Sequence, residues 1–247
     1  MTRSLRTLLT QLIDYAGLFP PAALTMQDAV RNYARYRDGE YSWALGKFIV
    51  PQERAKEVPP EFPLSILGVD EQKAATADDV ATIASTANGR AVYVEITDLA
   101  LLAPIAQHGL RAKVRTGGLT EDAFPTPQRI AAFLRACREH GVAFKATAGL
   151  HHPLRCVRPL TYEPNAPTGL MHGFVNVFLA AAMIDDAEAI LEERDASAFA
   201  FDDDGASWRD RRVSTEALEK LRSHCAISFG SCSFEEPIDD LRALHWL

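Results

Sequence analysis

Cysteine is scarce and scattered in this chain of 247 residues: Cys137, Cys156, Cys225 and Cys232 lie far apart, with no Cys-x-x-Cys pair among them. That spacing does not form a zinc ribbon. Long apolar runs are missing too, so nothing in the sequence is expected to span a bilayer. The start, Met1-Thr2-Arg3-Ser4-Leu5, lacks the apolar stretch of a secretion signal. A cytoplasmic protein with reduced thiols is expected. Positive charge is the minority sign, 26 Lys and Arg against 33 Asp and Glu, and no dense basic run occurs. A formal net charge of -7 argues against nucleic acid or an anionic membrane surface as partner. Internal repeats, low-complexity segments and linkers are absent as well.

What is present is a hydrophobic fraction of 47%, enough for a full core in one large α/β domain or two small ones. Leu5, Leu8, Leu9 and Leu12 follow helical spacing, so a short helix leads in. Buried strands are expected from Leu12, across Ser42 to Pro51, Phe62 to Val69, Ala91 to Thr97 and Leu110 to Gly118, then from Val142, across Ala198 to Asp202 and across Ala226 to Phe229. Helices are expected after Thr25, over Gln52 to Val58, Ala77 to Ala87 and Leu99 to Ala106, from Pro127, over Leu170 to Ile184 and Asp186 to Glu193, around Thr215 to Cys225, and near Pro237. Leu154 to Gly169, with three prolines and few apolar residues, reads as a long loop of the kind that serves as a lid. Eight strand-helix alternations without a break in composition predict an α/β fold, one (β/α)8 TIM barrel over residues 1–247. Its active site belongs at the carboxyl ends of the strands.

The stretch of most chemical interest is Val142 to Pro153, which carries Lys145 in an apolar strand and ends in His151-His152. A lysine there is costly unless paired or neutral. The other charged strand residues are Asp14, Lys47, Glu95, Lys113, Arg115 and Asp202, and alternation puts Lys113 and Arg115 on one face.

The order of short motifs resembles the deoxyribose-phosphate aldolases, class I aldolases of the TIM-barrel type. The similar segments are Leu12-Ile13-Asp14-Tyr15-Ala16-Gly17-Leu18-Phe19-Pro20, Phe48-Ile49-Val50-Pro51 with Arg54-Ala55-Lys56, Arg115-Thr116-Gly117-Gly118-Leu119, Ala143-Phe144-Lys145-Ala146-Thr147-Ala148-Gly149 and Phe229-Gly230-Ser231-Cys232-Ser233. The resemblance implies that Lys145 is a Schiff-base lysine. The family's second lysine, on strand seven, has no counterpart, because Phe201 is followed by Asp202-Asp203-Asp204-Gly205. Three aspartates would repel a phosphate dianion, which points to an unphosphorylated carbonyl substrate.

Lysine must shed its proton to attack a carbonyl, and at an ordinary pKa of about 10.4 roughly one molecule in a few thousand is neutral at pH 7. Burial and a neighbouring cation, first of all Lys113, are expected to lower that pKa. Glu95, Asp14 or Asp202 would carry the proton beside the iminium. Substrate contacts are expected from Lys47, Arg115, Thr147, His151, Gly230 and Ser231, with Arg115 holding a carboxylate. The chemistry needs no cofactor, and a homodimer is compatible with it. Two alternatives stay open: a metal-dependent lyase or hydrolase using His151, His152, His172 and Asp202, and a non-catalytic barrel that binds a small molecule.

Overall fold

In the computed structural model, which describes residues 1–247, eight parallel strands close into a barrel with helices around it, the architecture expected from the alternation. The chain enters through α1 (Arg3–Leu9), whose Leu5, Leu8 and Leu9 are buried, and turns into β1 (Ile13–Tyr15). After α2 (Met26–Arg37), capped by the Thr25 side chain, comes β2 (Leu45–Pro51). The next two barrel positions are filled by β3 (Leu64–Leu67) and β4 (Glu71–Lys73). Then follow α3 (Ala77–Thr86), β5 (Tyr93–Glu95), α4 (Leu102–Gln107), β6 (Arg111–Arg115), α5 (Pro127–His140) and β7 (Phe144–Thr147). Five short strands leave the barrel: β8 (Cys156–Pro159) and β9 (Thr168–Met171) form one hairpin, and β10 (Phe199–Phe201), β11 (Gly205–Trp208) and β12 (Arg211–Ser214) form an antiparallel sheet. Between these sets run α6 (Phe174–Ala182) and α7 (Ala187–Glu192), and α8 (Thr215–His224) leads back to β13 (Ala226–Ser231). β13 closes the barrel by pairing with both β7 and β1, and α9 (Glu235–Ala243) follows it.

Local sequence accounts for most of these boundaries. Thr76 and Asp79 form a reciprocal capping box on α3, and Thr126 with Pro127 starts α5. Gly141 ends α5 at a left-handed φ of 64° that glycine adopts without strain. Eight of the nine residues of α6 are buried, because Phe174 and Phe178 stack on Phe229 and Phe144 of the barrel. No helix is long and apolar enough to cross a membrane.

Two strand expectations are corrected. The expected third strand, Phe62 to Val69, is shorter, Leu64–Leu67, and an unexpected barrel strand follows it at once: only Gly68-Val69-Asp70 separates β3 from β4, and the two touch in register at Leu67 and Glu71. Gly68 sits at φ 89°, and Asp70 accepts a hydrogen bond from Ile66 N at 2.9 Å, which tightens the step. The expected seventh strand, Ala198 to Asp202, does not join the barrel. Asp202 Oδ1 accepts from Asp204 N and Gly205 N at 2.9 and 3.0 Å, and this turn sends the chain straight back into β11. The turn reverses the chain, so β10 pairs antiparallel with β11 and not with a barrel strand. Phe199 and Phe201 pack on Trp246 near the chain end instead.

Gly46 lies where β2 crosses Asp14. A Cβ there would run into the Asp14 carboxylate and come within 3.2 Å of the Ile13 carbonyl oxygen. Gly46→Ala should therefore cost about 1–3 kcal/mol, read as a lower urea midpoint at unchanged slope.

Candidate functional site

Apolar layers usually fill the interior of such a barrel. Here a ladder of alternating charge does so. Lys145 Nζ on β7 lies 2.8 Å from Asp14 Oδ2 on β1 and 2.6 Å from Glu71 Oε1 on β4. Lys113 Nζ on β6 lies 3.0 Å from Glu71 Oε2 and 2.9 Å from Glu95 Oε2 on β5. At the upper end Arg115 and Lys73 approach the other oxygen of Glu95, at 3.6 and 3.7 Å. Hydroxyls complete the ladder: Ser228 donates to Asp14 and Ser65 to Glu71, both at 2.7 Å, and the Lys47 backbone N–H donates to Asp14 Oδ1 at 2.8 Å. β6 and β7 pair with Lys113 opposite Lys145, so both lysines enter the interior at the same level.

Buried charges of this kind persist only when each has partners. Burial alone would raise the Glu71 pKa, but the ammonium groups of Lys145 and Lys113 reverse that and bring it to about 2, against an ordinary 4.5. Burial works against the Lys145 ammonium, yet Asp14 and Glu71 outweigh it and hold its pKa above the ordinary lysine value. Partial burial would raise the Glu95 pKa, but Lys113 first, then Arg115 and Lys73, hold it low.

Two cavities meet this ladder. The larger, about 680 Å³, opens at the carboxyl ends of the strands. Glu71, Glu95 and Lys113 form its charged floor, Lys73, Gln72 and Arg115 one side, and Thr147, His151, Gly230 and Cys232 the other. The expected lid is the β8–β9 hairpin, which contributes Leu160 and Met171 to the cavity wall. Tyr162 at its turn reaches Cys232 Sγ at 3.6 Å and Glu236 Oε2 at 3.4 Å. The smaller cavity, about 300 Å³, is lined by Asp14, Lys145, Lys47 and Gln11.

The sequence-predicted residues divide accordingly. Lys113, Glu95, Arg115, Thr147, His151 and Gly230 converge on the larger cavity. Ser231 is buried beside Gly230 and accepts from Ser233 N, outside the cavity lining. Lys145 and Asp14 belong to the ladder but face the smaller cavity, as does Lys47, whose side chain is exposed. The expectation of an unprotonated Lys145 gives way to an enclosed ammonium, 1% exposed between two carboxylates. Asp202 lies off the barrel altogether, exposed on the three-stranded sheet and ion-paired with Arg212.

The histidines proposed as metal ligands do not converge with Asp202. His151 Nδ1 engages Glu236 at 2.9 Å, and His152 Nδ1 engages Asp240 at 2.6 Å. His172 donates from Nε2 to the Pro125 carbonyl at 2.7 Å and accepts Arg155 on Nδ1 at 2.9 Å, so neither nitrogen is free to ligate. Burial, with Arg155 adding to it, lowers its pKa to about 4. No group of three or more His, Cys, Asp or Glu side chains is placed to hold a metal ion.

Sequence reasoning missed Glu71, Lys73 and Glu236. Glu71 and Lys73 lie in Val69-Asp70-Glu71-Gln72-Lys73, a polar run with no apolar alternation to mark a strand. Only the tight step after β3 brings Glu71 inside. No family model matches the chain, and no curated protein matches it.

Lys145→Met would leave Asp14 and Glu71 buried without their cation and should cost about 3–5 kcal/mol of stability in urea unfolding. Acid should act through the same group. Folded Glu71 takes its proton near pH 2 and the unfolded chain near 4.5, so its stabilisation is complete above about pH 4.5 and drains as the pH falls toward 2. Urea midpoints measured at pH 7, 4 and 3 should fall in that order, and Glu71→Gln should flatten the decline.

Proposed function

We propose that the protein is a lyase that makes or breaks a carbon-carbon bond in a small carbonyl compound bearing a carboxylate, through an imine on an interior lysine. One observation carries this: a lysine at the floor of an open cavity, Lys113, sits against a carboxylate that two exposed cations share from the other side. The amine is assigned to Lys113 because it lines the cavity at the strand ends, while Lys145 is walled off beneath Glu71.

At rest Glu95 is an ion-pair partner and a weak base. Arg115 and Lys73 are the exposed cations of the mouth, with side chains 50% and 75% exposed. An arriving carboxylate draws them away from Glu95, since a guanidinium favours a two-pronged carboxylate. Glu95, relieved of two cations, gains basicity and can take a proton from the Lys113 ammonium. The neutral amine adds to the carbonyl carbon, and loss of water leaves a protonated imine. That imine accepts the electron pair of the neighbouring carbon-carbon bond as it breaks. Lys145 stays charged and fixes Glu71, which holds Lys113 in place.

The rival is a barrel that binds such an anion without transforming it, favoured by the ion-paired state of both lysines. Borohydride treatment with pyruvate, glyoxylate or acetaldehyde separates the two. The lyase should acquire a reduced adduct, located by peptide mass mapping on Lys113 and lost in Lys113→Met. Binding of pyruvate with no adduct at any lysine would favour the rival. Loss of one charged hydrogen bond, about 1.5–3 kcal/mol, should raise the KM for a keto acid about 10- to 100-fold in Arg115→Gln and leave acetaldehyde nearly unaffected.

A further inference from the structure

The chain leaves β7 through Ala148 and Gly149, both at left-handed φ, and this turn brings His151 into the wall of the larger cavity. Its Nδ1 is taken by Glu236 Oε2 in the first turn of α9, at 2.9 Å, while Nε2 has no protein partner. A carboxylate only accepts, so Nδ1 carries the hydrogen and Nε2 presents its lone pair. We propose that His151 is the acid-base group of the reaction and that Glu236 is its positioning residue. This rests on the lyase reading but supplies what that reading lacks. Glu95 is committed to the Lys113 proton, and no other cavity-lining group named above has an unengaged basic nitrogen.

In cleavage, His151 Nε2 takes the hydroxyl proton of the imine adduct. The O–H pair becomes the new C=O bond, the carbon-carbon bond breaks, and its pair passes to the iminium nitrogen as an enamine. The imidazolium then returns the proton to the enamine carbon. His152 Nε2 is 4.0 Å from Glu236 Oε1 and its Nδ1 is paired with Asp240, while Tyr162 of the lid donates to the same Glu236 oxygen as His151. Cys232 stands behind Tyr162 with its thiol pKa raised by burial. Because the lid tyrosine shares the oxygen that orients His151, lid closure and imidazole orientation are tied together.

The test follows deuterium uptake into the methyl group of pyruvate in D2O, alongside borohydride trapping and nitrogen-detected NMR of the imidazoles. Wild type should show His151 with hydrogen on Nδ1 when neutral. His151→Gln should lower exchange by about 10²- to 10⁴-fold while trapping on Lys113 persists. Glu236→Ala should lose the fixed tautomer and most of the exchange, and Glu236→Gln, whose amide oxygen still accepts from Nδ1, should recover part of both. Exchange at the wild-type rate in His151→Gln with trapping intact overturns the His151 assignment alone. Hydrogen on Nε2 in the wild type overturns the positioning role of Glu236. Absence of both trapping and exchange in the wild type overturns the lyase reading and this assignment with it.

Discussion

The Glu71 carboxylate is the constraint on which the site depends. One of its oxygens meets Lys145 and the Ser65 hydroxyl, the other meets Lys113. With those partners it can stay ionised inside a barrel; without them, burial would neutralise it. It is also the partition between the two cavities, since it forms part of the floor of the larger one while Lys145 faces the smaller. Position in the ladder therefore separates two lysines that stand side by side in the strand register. One is enclosed between carboxylates, the other reaches open space.

Charge alternation leaves the mouth of the barrel with cations that are only partly engaged. Each interior cation touches two carboxylates, and the last carboxylate, Glu95, is finished by groups in solvent contact. Partners in water are loosely held, and a ligand can compete for them. The bottom of the ladder has no such freedom, because Asp14 is tied to Lys145, Ser228 and the β2 backbone. The lid adds its own tie, through Tyr162, to the acid that orients a cavity histidine.

Much of the barrel was legible because local rules and global packing agree there. Caps at Thr25, Thr76 and Thr126 and the apolar stripe of α5 mark helices where helices form. Legibility failed where a short-range device redirected the chain. The Asp202 turn folds β10 back on β11, and the Gly68 step adds a barrel strand, β4, where none was expected. Neither shows in periodicity, because both depend on a few hydrogen bonds from backbone N–H groups to an aspartate side chain and not on an apolar pattern. Lys113, Glu95 and Arg115 were visible as charges in strands; Glu71 and Glu236 carried no such signal.

By itself the sequence determined the parallel barrel and the presence of charges within its strands, because strand alternation and helix caps are encoded over a few residues. The tertiary structure decided which of those charges neutralise one another and which face open space. Asp14, Glu71, Glu95, Lys113 and Lys145 come from five separate strands, and their pairing is set by distances across the barrel that exist only once it has closed.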